Sequence, residues 1–192
     1  MMEKLWREYK NWFEKYPKIV NSLNLGATNE EINELEIAIG ITLPMELRNI
    51  LSDNNGQDNE EVGILVEYCM LSTHDIIEIW EIMKNLLERN DFDDFESVEA
   101  IGPVKTESWW NVKWIPFAES TSGDLLCIDL DPANGGEVGQ IITFWHDWEQ
   151  RKVIAPNLKS FIYDTLTTLN SKKYQGKIYV TNEIFEIGEF LV

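Results

Sequence analysis

Two small groups of polar side chains have residue types and spacing that could do chemistry. The first group is three aspartates, Asp124, Asp129 and Asp131. Oxygen-rich groups of this kind bind magnesium or calcium, so converging carboxylates here would indicate a metal-dependent hydrolase. Aspartates inside glycine turns or before proline, however, commonly accept hydrogen bonds from neighbouring backbone amides. The turn-forming role is favoured, and we predict neither a metal nor another cofactor.

The second group is the adjacent pair His146 and Asp147, which lies between Trp145 and Trp148. An aspartate can orient an imidazole for acid–base catalysis. Adjacent residues on a strand point to opposite faces, so this pair would need a bend in order to cooperate. A structural hydrogen-bonding role is therefore favoured for His146, and His74, the other histidine, offers no better partner.

Other signatures of catalysis are missing from the sequence. No serine lies in a G-x-S-x-G elbow, and neither Cys69 nor Cys127 has an identifiable histidine and acid arrangement. Gly135, Gly136 and Gly139 come closest to a phosphate loop, but they lack its lysine and following helix, so a hairpin turn explains them better. Two cysteines far apart in a cytosolic chain are typical of reduced core residues. We predict no enzymatic activity.

The charge of the chain limits its partners. The net charge is -18, and the stretch Asp58–Glu99 holds 13 acidic and 2 basic residues, which is more than half of the imbalance. Such a field repels nucleic acid and anionic membranes and attracts basic proteins, although an ordinary acidic surface is the simpler interpretation. No signal peptide or membrane span is evident, so the expected location is the cytoplasm. We expect a cationic protein partner, and the oligomeric state is left open.

Aromatic side chains divide into core and interface candidates. Trp6, Trp12 and Trp80 fall on apolar helical faces, which favours the core. Trp109 and Trp110 stand between polar residues before the first strand of the predicted sheet, so one of them is expected to be exposed as an interface anchor. The equally weighted alternative is that these tryptophans fold back onto their own domain. The predicted partner-binding residues are Trp109, Trp110, Asp91, Asp93, Asp94, Glu96 and Glu119.

The elements that position these residues follow from periodicity, caps and turns. Three helices are predicted early in the chain: from Leu5 to a break at Pro17, from a capping box at Thr28 to Gly40, and from Pro44 to an exit at Asn55 and Gly56. Next come a strand at Val62–Met70, a helix over Ile76–Leu87, an exposed loop at Asn90–Glu99, three strands from Trp114 onward, a helix from Asn157 to Leu169, and an edge hairpin or tail at Ile178–Val192. The prediction is a single α+β domain over residues 1–192, a mainly antiparallel meander sheet packed by several helices.

The ordered block of aromatics, turn glycines and acids resembles the SUKH superfamily. An LP-x-E-L helix with an asparagine–glycine exit comes first, followed by a WIPFA strand, a glycine–aspartate turn, an LCIDLDP strand, a glycine–glutamine turn and a histidine–aspartate pair. The positions are Leu43, Pro44, Glu46, Leu47, Asn55, Gly56, Trp114, Pro116, Phe117, Gly123, Asp124, Asp129, Asp131, Pro132, Gly139, Gln140, His146 and Asp147. The resemblance covers roughly Thr28–Leu169 and implies that these residues are a fold signature.

That superfamily includes the yeast cell-wall assembly regulator and many bacterial immunity proteins that neutralise toxins, so the resemblance implies a binding protein. Together with the charge, it predicts a cytoplasmic immunity protein that neutralises a cognate basic toxin. A nuclease suits this prediction, because its cleft must be cationic to hold phosphate. The alternative is an intracellular regulatory scaffold like the cell-wall regulator, and a weaker alternative is the metal-dependent hydrolase on the three aspartates.

Overall fold

The computed structural model describes residues 2–58, 63–65, 68–92 and 98–171, and the backbone of two further strands. The helices are α1 (Met2–Phe13), α2 (Pro17–Asn21), α3 (Asn29–Ile39), α4 (Met45–Asp53), α5 (Thr73–Glu88) and α6 (Leu158–Leu169). The strands are β1 (Cys69–Met70), β2 (Glu99–Ile101), β3 (Trp114–Glu119), β4 (Leu125–Asp129), β5 (Gln140–Phe144), β6 (Gln150–Ala155), β7 (Lys177–Val180) and β8 (Glu183–Glu186). The predicted α+β class is confirmed.

Six strands form one mostly antiparallel sheet in the order β1-β3-β4-β5-β6-β2. The predicted meander is present as β3, β4 and β5, and β6 continues it as a fourth antiparallel strand. The edge strand β2 pairs in parallel with β6. The strands β7 and β8 pair antiparallel in a separate two-stranded sheet. In the described part of the segment expected to be an edge hairpin or tail, neither strand pairs with the main sheet.

Local signals in the sequence account for several helix boundaries. The Thr28 hydroxyl accepts a hydrogen bond from the Glu31 amide at 3.2 Å, and the Glu31 carboxylate accepts one from the Thr28 amide at 2.7 Å, which confirms the predicted capping box of α3. A second capping box, formed by Ser72 and Asp75, begins α5. Such caps stabilise a helix by about 0.5–2 kcal/mol. No helix in the described part of the chain is long and apolar enough to cross a membrane.

The aromatic stripe of α1 is part of the core. Trp6, Tyr9 and Phe13 are buried, and the Tyr9 hydroxyl donates a hydrogen bond to the Ile64 carbonyl at 2.8 Å. Helix α1 packs on α4 and α6, and α6 in turn packs against β5 and β6. Burying the apolar stripe in this way supplies the main driving force for docking the N-terminal helix.

The prediction that Trp109 or Trp110 is exposed is wrong. Trp109 is 7% exposed and Trp110 is fully buried. Trp110 packs edge-on against Trp114 and Phe144, with ring centroids 5.6 Å and 5.3 Å away. Aromatic pairs in this geometry gain energy beyond the area that they bury. The pair therefore closes the core over β3 and β5, and it offers no aromatic anchor to a partner.

A buried arginine holds this aromatic segment in place. The guanidinium of Arg151, on β6, donates to the carbonyls of Trp148 at 2.6 Å and Gln150 at 2.9 Å, with a longer contact of 3.5 Å to the Trp109 carbonyl. It also lies 4.0 Å from the centroid of the Phe144 ring and 4.7 Å from that of Trp109. Burial lowers the pKa of Arg151 to about 10, so it remains charged at neutral pH. Backbone carbonyls and aromatic faces thus replace water around the terminal nitrogens, whereas the buried Nε has no hydrogen-bond partner in the described part of the chain.

Two predicted elements differ from the observed ones. Of the strand expected at Val62–Met70, the described part contains only β1 and an isolated bridge between Leu65 and Tyr68, and residues 59–62 and 66–67 lie outside the described residues. The loop expected at Asn90–Glu99 ends in β2, because Glu99 pairs with Gln150. Residues 93–97 of that loop also lie outside the described residues.

Replacing Arg151 with alanine should destabilise the protein by about 2–4 kcal/mol, because hydrogen bonds to a charged group contribute about 1.5–3 kcal/mol and truncation leaves a cavity beside Trp109. Urea unfolding followed by tryptophan fluorescence measures the difference in the free energy of unfolding. The matched control is Lys159→Ala on the exposed face of α6, which should change stability by less than about 0.5 kcal/mol. Equal stability of the two variants would show that the buried cation contributes nothing.

Candidate binding groove

An open groove lies at the β1 edge of the sheet, between the first turns of α5 and the turn that joins β3 to β4. Its volume is about 780 Å³. Four carboxylates line it, from Asp58, Asp75, Glu78 and Glu119, and no lysine, arginine or histidine is among the described lining residues. The groove therefore concentrates negative charge at a concave surface, where field lines are focused.

The floor of the groove is fixed by buried polar contacts. The Gln57 amide donates to the Met70 carbonyl at 2.8 Å, which attaches the chain after α4 to β1. The Gln57 side chain also donates to the Ser22 hydroxyl at 2.9 Å and accepts from the Ile64 amide at 3.0 Å. Asp58 is thereby placed at the groove wall. A glycine is required at position 56, two residues before Asp58. The φ of Gly56 is 82°, and a Cβ on this residue would lie 2.5 Å from the amide nitrogen of Ser72.

Helix α5 supplies two more of the carboxylates. Asp75 and Glu78 are three residues apart, so they lie on neighbouring positions of one helix face. The Asp75 carboxylate accepts hydrogen bonds from the Ser72 amide at 3.0 Å and the Ser72 hydroxyl at 2.6 Å. This side chain both caps the helix and lines the groove, so its position is set before any ligand arrives.

Glu119 is the carboxylate with the most perturbed environment in the groove. It ends β3, opposite Cys69 on one side and Leu125 on the other. Partial burial raises the pKa of Glu119, and the nearby charge of Asp75 raises it further. A carboxylate that is poorly hydrated and close to another one attracts a cation. The arrangement is suited to an ammonium or guanidinium group.

The three aspartates proposed as a metal site do not converge. Asp124 precedes β4 and Asp129 ends it, so they are separated by the length of a five-residue strand, roughly 16 Å. Asp129 is buried and accepts hydrogen bonds from the Asp131 amide at 2.9 Å and from the Gln140 side chain at 2.8 Å. Burial raises the pKa of Asp129, whereas a hydrogen bond from Lys105 lowers that of Asp131. Both carboxylates organise turns, as the alternative interpretation expected.

His146 pairs with Asp124 rather than with its neighbour Asp147. Oδ1 of Asp124 accepts a hydrogen bond from the His146 amide at 3.1 Å and lies 3.0 Å from Nδ1 of the ring. The contact joins the turn between β3 and β4 to the loop between β5 and β6. His146 therefore has the predicted structural role, with a partner 22 residues away in sequence.

The predicted partner-binding residues are only partly brought together. Glu119 lies in the groove and Asp91 is exposed after α5, whereas Asp93, Asp94 and Glu96 lie outside the described residues. Sequence reasoning placed an acidic patch over Asp58–Glu99 but did not single out Asp58, Asp75 or Glu78. The three-residue spacing of Asp75 and Glu78 on the polar face of α5 is the signal that could have found them. The exposure of Trp148 was not predicted from the sequence either. This side chain is 56% exposed and lies close in sequence to the Asp124–His146 contact.

The structure is an α+β domain built on a mostly antiparallel sheet, with an acidic groove at one edge. The sequence profile of the SMI1 / KNR4 family (SUKH-1) matches residues 26–164, and the chain belongs to this family. The SUKH resemblance predicted from the sequence is thus confirmed, over nearly the same residues.

Curated relatives of the chain are fungal. The chain is 27% identical to "KNR4/SMI1 homolog 2" of Debaryomyces hansenii, over 91% of its own length and 36% of the relative's. It is 26% identical to the "Glucan synthesis regulatory protein" of Neurospora crassa, with 96% and 41% covered, and 21% identical to the "Cell wall assembly regulator SMI1" of Saccharomyces cerevisiae, with 82% and 38% covered. The chain therefore spans about two fifths or less of the length of these relatives.

Replacing Glu119 with glutamine should stabilise the protein at pH 7. The pKa of Glu119 in the folded state lies above the unfolded value of 4.5, so the side chain destabilises the fold increasingly as the pH rises from 4.5 through the folded pKa. Because the group is only partly buried, solvent screening limits the gain to about a few tenths of a kcal/mol. The gain should vanish near pH 3.5, where the carboxyl is protonated in both states. Urea unfolding at several pH values measures it.

The control for this prediction is Glu34→Gln, at an exposed position of α3. It changes the net charge by the same amount without touching the groove. A pH-dependent gain of the same size in both variants would mean that overall charge, and not the groove, is responsible.

Proposed function

We propose that this domain is a non-enzymatic, cytoplasmic regulatory module that binds a partner protein through the acidic groove. The observation that carries the proposal is the concave cluster of four carboxylates, from Asp58, Asp75, Glu78 and Glu119, without a lining lysine or arginine among the described residues. A relative named as a cell-wall assembly regulator and another named as a glucan synthesis regulatory protein support regulation rather than toxin immunity.

The size and polarity of the groove favour a segment of a protein over a small molecule. Its volume of about 780 Å³ is in the range of ligand pockets, but such pockets are mostly apolar, whereas this one is lined mainly by polar groups, with Met70, Leu71 and Ile79 as its apolar part. A lysine- or arginine-bearing segment lying along the groove would neutralise several carboxylates at once. Charge complementarity of this kind raises the association rate and selects against acidic partners.

The chemistry of the described residues supports a binding role without catalysis. The thiol of Cys127 is fully buried, and that burial raises its pKa far above neutrality, so it is no nucleophile. The carboxylates of Asp129 and Asp131 are engaged by a turn and by Lys105. Ser120 and Ser122 border the groove, but their hydroxyls bond to each other and to the turn.

Binding should be lost when three groove carboxylates are neutralised together, by Asp58→Asn, Glu78→Gln and Glu119→Gln. Asp75 is left unchanged because its carboxylate caps α5. Calorimetric titration with a synthetic peptide of alternating lysine and glycine measures the affinity. We expect at least a tenfold loss in the triple variant, and a wild-type affinity that falls steadily from about 0.05 to 0.5 M salt.

The matched control neutralises three exposed carboxylates outside the groove, by Glu14→Gln, Glu34→Gln and Glu137→Gln. It has the same net charge as the groove variant and should bind the peptide nearly as the wild type does. Equal loss in both triple variants would attribute binding to overall charge and contradict a groove-specific site.

Affinity capture from cells of the source organism then separates the two biological roles. Wall-synthesis or signalling proteins retained by the wild type, and lost from the groove variant, would support regulation. A single basic toxin domain behaving in the same way would instead support the immunity role. Proteins retained equally by both would place the partner elsewhere on the surface.

A further inference from the structure

A cluster of metal-ligating side chains lies beside the groove and is not used by the proposed function. It consists of Asp124 from the turn between β3 and β4, and His146 and Asp147 from the loop between β5 and β6. One ligand atom from each residue lies within 4.8 Å of the other two. The residues come from two loops that are 22 positions apart, so the fold and not local sequence brings them together.

The spacing within the cluster is close to that of a coordination sphere. Nδ1 of His146 and Oδ1 of Asp124 are 3.0 Å apart. Zinc bonds of about 2.0–2.1 Å in a tetrahedral site place neighbouring ligand atoms roughly 3.3 Å apart. The hydrogen-bonded pair is therefore within a few tenths of an ångström of the separation that a shared metal ion requires, and a ligand atom of Asp147 lies within 4.8 Å of the pair.

One ligand is already held in place and the site is open to solvent. Oδ2 of Asp124 accepts a hydrogen bond from the Ser122 hydroxyl at 2.9 Å, the kind of contact that orients a metal-bound carboxylate from outside. The His146 side chain is 50% exposed and that of Asp124 is 18% exposed. A hydrated ion can thus reach the ligands without unfolding the loop.

We propose that Asp124, His146 and Asp147 bind a divalent transition-metal ion, with zinc as the physiological choice. One imidazole nitrogen and two carboxylate oxygens match the ligand preferences of zinc, whereas magnesium and calcium favour all-oxygen sites. The two carboxylates balance the charge of the ion. With three protein ligands, the fourth position belongs to water or to a side chain of a partner.

The bound ion would connect the turn that lines the groove to the loop between β5 and β6. The turn residues Ser120, Thr121, Ser122 and Gly123 form one wall of the groove, and Asp124 follows directly. Coordination would fix this wall to the loop that carries Trp148. Zinc would therefore be a structural clamp on the binding surface.

The chain offers a sharp test because it contains two histidines, His74 and His146. Zinc is titrated into metal-free protein while the ring nitrogens of both histidines are followed by nuclear magnetic resonance. We expect the His146 signals to shift with saturation at one ion per chain, and the His74 signals, from α5, to stay unchanged. A Cys69→Ser background removes the partly exposed thiol as a competing ligand.

Variants measured by calorimetric titration complete the test. His146→Ala and Asp124→Asn should each lower zinc affinity at least tenfold, while His74→Ala leaves it unchanged. Unperturbed His146 signals at about 1 mM zinc, or equal affinity of His146→Ala and His74→Ala, would overturn the proposal. The signals of the wild-type ring decide the question even if a variant fails to fold. The result is independent of peptide binding in the groove, so the two proposals fail separately.

Discussion

The buried guanidinium of Arg151 is the interaction on which the arrangement of the loops depends. A cation removed from water is costly unless its hydrogen bonds are replaced. Arg151 meets that condition for its two terminal nitrogens, which donate to backbone carbonyls, while its buried Nε has no hydrogen-bond partner within the described ranges. The guanidinium also lies against the rings of Trp109 and Phe144, and it has no carboxylate partner among the described residues. Its contacts reach from β6 back to a segment 42 residues earlier in the chain. One side chain thus fixes where two non-adjacent stretches of backbone can lie.

That constraint extends from the core to the groove through a short series of contacts. Arg151 bonds to the Trp148 carbonyl, in the loop that also carries His146. His146 bonds to Asp124, whose amide bonds to the Ser120 hydroxyl at 3.1 Å in the turn lining the groove. The wall of the acidic groove is therefore set by the interior of the sheet. An open loop supported in this way has less conformational entropy to lose on binding a partner.

Features of the fold that depend on neighbouring residues could be predicted from the sequence. The capping box at Thr28 and the hairpin at Gly123, whose φ is 90°, each rest on a few adjacent positions. The burial of Trp109 could not be predicted from the sequence. Its polar flanking residues indicate exposure, whereas the cation that covers its ring belongs to Arg151, far away in the chain. The three-residue strand β2 was missed for a similar reason, since its pairing with β6 joins positions about fifty residues apart.

The candidate site also depends on residues that are far apart in the sequence, so its geometry could not be predicted from the sequence. The stretch Asp58–Glu99 is acidic in sequence, but sequence alone does not show that Asp58, Asp75 and Glu78 face one concave surface together with Glu119. Placing Glu119 there is unfavourable for the fold, because burial and the charge of Asp75 raise its pKa. A glutamine would fill the same volume without that penalty. A cation bound in the groove, as the proposed function requires, would restore to the Glu119 carboxylate the favourable interactions that burial and the charge of Asp75 remove.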